Sequence, residues 1–256
     1  MTMTLEEKYG IVYIDGKRYY SEDLTQRNYS VENSTPFSFF YSDGDHVVDV
    51  KDNTWNNMIY KIAVAFDEFI PKSEEEYLGV QNDWGKQKVF SREKLKNYLA
   101  FKDIYINLNH TAIHALWTIQ ILLDFYGIDR ASCQMLLRRH GSAEPKEAQA
   151  YFQNKTLEGF DCYLQEIRGY SQEKSKKIIN NLTVANKLMP KISRSYDNLF
   201  LFEDGSMLSG YGKKLLEVLK FEKGLSNEQL DIIRMCVDLL AKYYSYANKV
   251  AKQNKK

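Results

Sequence analysis

A chain of 256 residues with 44% hydrophobic residues and only four prolines can bury one large core or two modest ones, which excludes a disordered polypeptide. No apolar run reaches the ~18 residues of a membrane-crossing helix, and residues 1–17 carry acids where a secretory signal needs a basic start, so a cytoplasmic protein with no membrane contact is expected. The net charge of +1 hides a split: residues 1–83 hold 7 Lys and Arg against 16 Asp and Glu, and residues 84–256 hold 28 against 18.

The first elements read as strands. Residues 10–14 lead into an Asp15-Gly16 turn signal and return over 17–20. A second hairpin runs from Pro36 to Tyr41, turns through Ser42, Asp43, Gly44 and Asp45, and returns over 46–50. A helix then starts at Asn53 or Thr54, because Trp55, Met58, Ile59, Ile62, Ala63 and Phe66 recur at helical spacing. Residues 71–103, with Pro71, Glu74 to Glu76 and Gly85, are polar and irregular and read as a long surface connection.

Residues 104–108 form a short strand. Asn109 or Thr111 caps the next helix, whose stripe of Ile113, Leu116, Trp117 and Ile121 is flanked by Ile119, Leu122 and Leu123, so that it is buried on more than one side. Gly127 ends it. Residues 130–140 fit either a strand, giving a β-α-β unit over 104–137, or the second helix of a helix-turn-helix. From Glu144 onward every pattern is helical, with a break marked at Pro190.

Two segments of that helical part echo each other. Residues 164–173 and 219–228 share Leu, a basic residue, Gly, Ser and Glu: Leu164, Arg168, Gly169, Ser171 and Glu173 against Leu219, Lys223, Gly224, Ser226 and Glu228. In each, Gly supplies a left-handed helix stop and Ser caps the next helix, so each is a corner between two helices. The run Phe160-Asp-Cys-Tyr-Leu-Gln-Glu-Ile-Arg-Gly-Tyr-Ser-Gln-Glu-Lys174 resembles the SAM-like core-binding module of tyrosine recombinases, which implies a DNA-gripping helical domain. No His-x-x-Arg precedes a late nucleophilic Tyr, and no catalytic residue is carried over. Residues 89–129 resemble a module found in bacterial proteins near restriction and phage-defence systems. The wealth of Lys, Asn, Tyr and Ile fits a bacterial or phage source.

The candidate sites follow from these patterns. Arg138, Arg139 and His140, then Lys174, Lys176 and Lys177, then Lys213 and Lys214, and the lysine tail from Lys249 to Lys256 are basic clusters that can displace counterions from phosphates. Tyr170, Tyr211, Tyr243, Tyr244 and Tyr246 can add stacking. Asp45, Asp49 and Lys51 are placed on one strand face, where two carboxylates and a lysine could serve a Mg²⁺-dependent nuclease, although an exposed acidic turn explains the same residues. His110 and His114, one helical turn apart, could share a metal but have no third ligand nearby. Gly210, Gly212, Lys213 and Lys214 could form a phosphate nest. Cys133, Cys162 and Cys236 form no C-x-x-C pair and are expected as small core residues. Neither a metal nor a cofactor is expected.

The expected architecture is α+β: N-terminal β-hairpins packed on helices over an acidic domain of residues 1–143, then a basic all-helical domain of residues 144–256. The expected function is non-catalytic nucleic-acid binding, in phage defence or mobile-element biology. The alternatives are an adaptor or inhibitor that binds a protein through its acidic front, and a Mg²⁺-dependent nuclease.

Overall fold

The computed structural model describes residues 3–27, 31–82, 87–94, 96–108, 111–139, 141–193 and 195–253, the side chain of Ser142 excepted. Gly85, Asn109, His110, His140 and Lys255 and Lys256 of the tail lie outside them. The fold is α+β, with N-terminal strands and C-terminal helices. It divides into two compact units, residues 1–12 with 18–139 and residues 13–17 with 140–256.

The first unit holds α1 (Leu5–Lys8), β1 (Ile11–Ile14), β2 (Lys17–Glu22), β3 (Thr35–Ser42), β4 (Val47–Lys51), α2 (Trp55–Phe69), α3 (Glu74–Gly79), β5 (Phe90–Ser91), β6 (Tyr98–Phe101), β7 (Ile104–Asn107), α4 (Ala112–Tyr126) and β8 (Cys133–Arg138), the turn of the first hairpin excepted. A five-stranded sheet has the order β1-β2-β8-β3-β4, and a three-stranded sheet has the order β5-β7-β6. In β3 and β4 the pattern alternates: Phe39, Tyr41, Val48 and Val50 are buried while Phe40, Ser42, Val47, Asp49 and Lys51 face out. Phe66 of α2 packs its ring 5.4 Å from Tyr41 and 5.5 Å from Tyr126 of α4, which joins sheet and helices in one core.

α2 starts where Thr54 Oγ1 accepts the Asn57 amide, and it buries Met58, Ile59, Ile62, Ala63 and Phe66. α4 is buried nearly all round and is capped by Thr111, whose hydroxyl accepts the His114 amide. Its polar interruption is satisfied: Gln120 Nε2 donates to the carbonyls of Leu24 and Gln26 at 2.9 and 2.8 Å.

Two expectations need correction here. Residues 133–138 are a strand, but β8 inserts between β2 and β3 while β7 belongs to the other sheet, so residues 104–137 form neither a β-α-β unit nor a helix-turn-helix. Residues 71–103 are not a bare connection, since they carry α3, β5 and β6. Their charges also fold back on the acidic stretch: Arg92 reaches Glu74 at 2.6 Å and Lys102 reaches Asp67 at 2.7 Å. The acidic front is thus no separate body.

The second unit is built of helices, α5 (Lys146–Cys162) running into a π-turn (Tyr163–Ile167), then α6 (Gln172–Asn186), α7 (Met189–Ile192), α8 (Gly205–Lys223) and α9 (Asn227–Gln253). Both expected corners form. Gly169 and Gly224 have φ of 66° and 59°, Ser171 Oγ accepts the Lys174 amide, and Ser226 exchanges two hydrogen bonds with Gln229. α8 and α9 pack closely because α8 presents glycines to α9: a Cβ on Gly205 would stand 2.2 Å from the Ala241 carbonyl oxygen, and one on Gly212 2.7 Å from Val237 Cγ1. Gly210, Gly212, Lys213 and Lys214 therefore lie inside a helix, and the expected phosphate nest does not exist. Of the cysteines only Cys236 is buried; Cys133 is half-buried and Cys162 exposed, which corrects the expectation of three core residues.

Candidate polyanion-binding grooves on the helical unit

Two adjoining grooves run along α9. The larger, about 620 Å³, lies between the helices and is lined by Lys213, Leu216, Glu217 and Lys220 of α8 and by Asn227, Leu230, Asp231 and Arg234 of α9. The smaller, about 380 Å³, lies between α9 and the corner after the π-turn, and is lined by Arg168, Tyr170, Asp231, Arg234, Met235, Asp238, Leu239 and Lys242. Arg234 and Asp231 line both, so the grooves share one wall.

Helical periodicity sets this arrangement. Lys213 and Lys220 are seven residues, two turns, apart on α8. Asp231, Arg234, Asp238 and Lys242 follow at steps of three, four and four and form one ridge on α9. The five groove cations are Lys213, Lys220, Arg234, Arg168 and Lys242, set against Glu217, Asp231 and Asp238. Among the described residues only Arg234 has a carboxylate oxygen within 4.0 Å, that of Asp231 at 2.7 Å. Lys174 Nζ stands 3.9 Å from the centre of the Tyr170 ring, which brings a further cation and an aromatic face to the smaller groove.

The basic residues singled out by sequence divide accordingly. Lys213 lines the larger groove, Lys214 projects from the same helix with its Nζ 5.5 Å from the Tyr211 ring, and Lys174 sits on Tyr170. Lys176 and Lys177 are exposed on α6, with Lys177 held by Glu173 one turn back at 2.9 Å. Arg139 is a correction. Its side chain is only 8% exposed, its Nη2 donates to the buried Glu22 at 2.9 Å and its guanidinium lies 5.2 Å from the Tyr20 ring, so it holds the first unit together and cannot reach a phosphate. Arg138, on β8, is half-buried. Sequence reasoning gave Arg168 only a helix-end role and passed over Lys220, Arg234 and Lys242; the three-and-four spacing along α9 was the available signal.

The expected acidic site is also rearranged. Asp45 lies in the turn before β4 rather than on the strand, and its amide donates to Asp43 Oδ1 at 3.0 Å. The amide of His46 and then that of Asp45 hold the Asp43 carboxyl down to about 2, as a turn-closing carboxylate requires. Asp49 and Lys51 do share the outer face of β4, 3.8 Å apart and well exposed. Among the described residues no group of three or more His, Cys, Asp or Glu side chains converges to hold a metal. His114 packs its ring 5.6 Å from Trp117.

Among the described residues no helix is long and apolar enough to cross a membrane. Compared with known protein families, with curated proteins and with solved structures, the chain matches none.

Proposed function

We propose that this protein is a non-catalytic nucleic-acid-binding protein whose helical unit holds the phosphate backbone in the two grooves on either side of Arg234. The observation that carries the reading is the state of the groove cations: Arg168, Lys213, Lys220 and Lys242 each line a groove, and among the described residues none of the four has a carboxylate oxygen within 4.0 Å. Cations already neutralised by neighbours gain little from a phosphate, whereas these exchange water and counterions for one. The pair formed by Arg234 and Asp231 is exposed on both sides, and such pairs are worth about 0–1 kcal/mol, so a phosphate can compete for the guanidinium. Residues 140–256 hold 19 Lys and Arg against 14 Asp and Glu, which favours a polyanion at longer range.

The test is binding of the full chain to labelled oligonucleotides across ionic strength. The variant Lys213→Gln/Lys220→Gln/Arg234→Gln changes only exposed side chains and is expected to fold and to lose most of the affinity. Absence of binding by the parent at low salt, or unchanged binding by the variant, overturns the proposal.

A further inference from the structure

We infer that Phe221 stacks on an unpaired nucleobase, so that the grooves receive single-stranded nucleic acid in preference to duplex; this rests on the polyanion reading above. Phe221 is 92% exposed, the most exposed large apolar side chain among the described residues. It stands on the last turn of α8, where the core positions Leu208, Leu215 and Leu219 point the other way. At 100° per residue, Phe221 shares the outer face of α8 with Lys214, seven residues earlier, and Lys220 adjoins it and lines the larger groove. The helix end that carries it is fixed. Glu222 is tied to Lys191, and Gly224 turns the chain in a left-handed conformation into α9.

A bare phenyl ring on the face of Lys214 and next to Lys220, with Glu217 one turn before it and Glu222 beyond it already tied to Lys191, matches the chemistry of a strand that offers alternating phosphates and exposed base faces. A duplex presents the phosphates but keeps its base faces stacked inside, so the ring has nothing to cover. Phe has no hydrogen-bonding group to read a base edge, and the contact is tolerant of sequence.

The experiment uses the full chain with three partners: a single strand of about 20 nucleotides, the same sequence as duplex, and vesicles rich in phosphatidylserine. Because Phe221 is outside the core, Phe221→Ala leaves the fold intact. It is expected to lower single-strand affinity about 5- to 150-fold, as loss of one stacked base does, with duplex affinity and the salt slope unchanged. Phe221→Trp is expected to restore single-strand affinity. An unchanged single-strand affinity, or an equal loss on duplex, overturns the inference while the groove variant still tests the polyanion reading. Failure of the parent to bind either nucleic acid removes both. Loss confined to vesicle binding assigns Phe221 to a membrane surface and also overturns the inference.

Discussion

Asp231 Oδ1 lies 2.7 Å from Arg234 Nη1, one turn along α9, and this pair stands where the two grooves meet. The carboxylate occupies the guanidinium that a phosphate would take and repels the phosphate itself. Asp231→Asn keeps the side chain's shape and removes both effects. Nucleic-acid affinity is expected to rise about 2- to 5-fold, the range of a surface ion pair, as measured by titration at fixed salt.

The pair between Glu22 and Arg139 behaves in the opposite way, since its side chains are 1% and 8% exposed. Removing one partner of a buried pair takes the compensating charge away from the other. Glu22→Ala is expected to destabilise the protein by about 3–5 kcal/mol in urea unfolding, while the folded fraction keeps the parent's affinity for nucleic acid. A matching loss of affinity would return Arg139 to the binding surface.

Two glycines of α8 are expected to respond with opposite sign. A Cβ at Gly205 would meet the Ala241 carbonyl oxygen at 2.2 Å, backbone that cannot swing aside, so Gly205→Ala is expected to cost about 1–3 kcal/mol. A Cβ at Gly210 would meet nothing within 4 Å, and Gly210→Ala should stabilise by about 0.5–1 kcal/mol through helix propensity. Thermal unfolding of both variants checks the closeness of α8 to α9.

Asp52 links stability to acid. Burial pushes its carboxyl up, but Lys61 at 2.7 Å and the amide and hydroxyl of Thr54 outweigh that and hold it down to about 2 from 3.8. A depressed folded value means that this contribution is complete above pH 3.8 and is lost as pH falls through about 2. Asp52→Asn is expected to be less stable near neutral pH and to lack that part of the acid dependence, read from unfolding free energies between pH 6 and 2.

The hairpin of β3 and β4 was legible because one of its faces is buried and the other wet, so Phe39, Tyr41, Val48 and Val50 alternate with polar or exposed neighbours. β8 was ambiguous for the converse reason. It is an interior strand in which Met135, Leu136 and Leu137 are all buried, which erases the period that separates strand from helix. β5 and β6 escaped because two to four residues set no period. The corners at Gly169 and Gly224 could be read directly, since cap chemistry is local. The grooves could not. Lys213 and Lys214 announce themselves as a run, but Arg234 stands between Ile233 and Met235 and joins them only when α9 is laid along α8. Arg138 and Arg139 looked alike in sequence, and only the burial of Glu22 beside the second separates them.

The most direct measurement of whether the groove cations act together is the slope of log affinity against log salt for the parent and for Lys213→Gln/Lys220→Gln/Arg234→Gln. Five cations on a single strand give the parent a slope of about −2 to −4, and removing three should flatten it by about 2. A parent slope near zero, or a slope that the three substitutions leave unchanged, would contradict a phosphate-binding surface at Arg234.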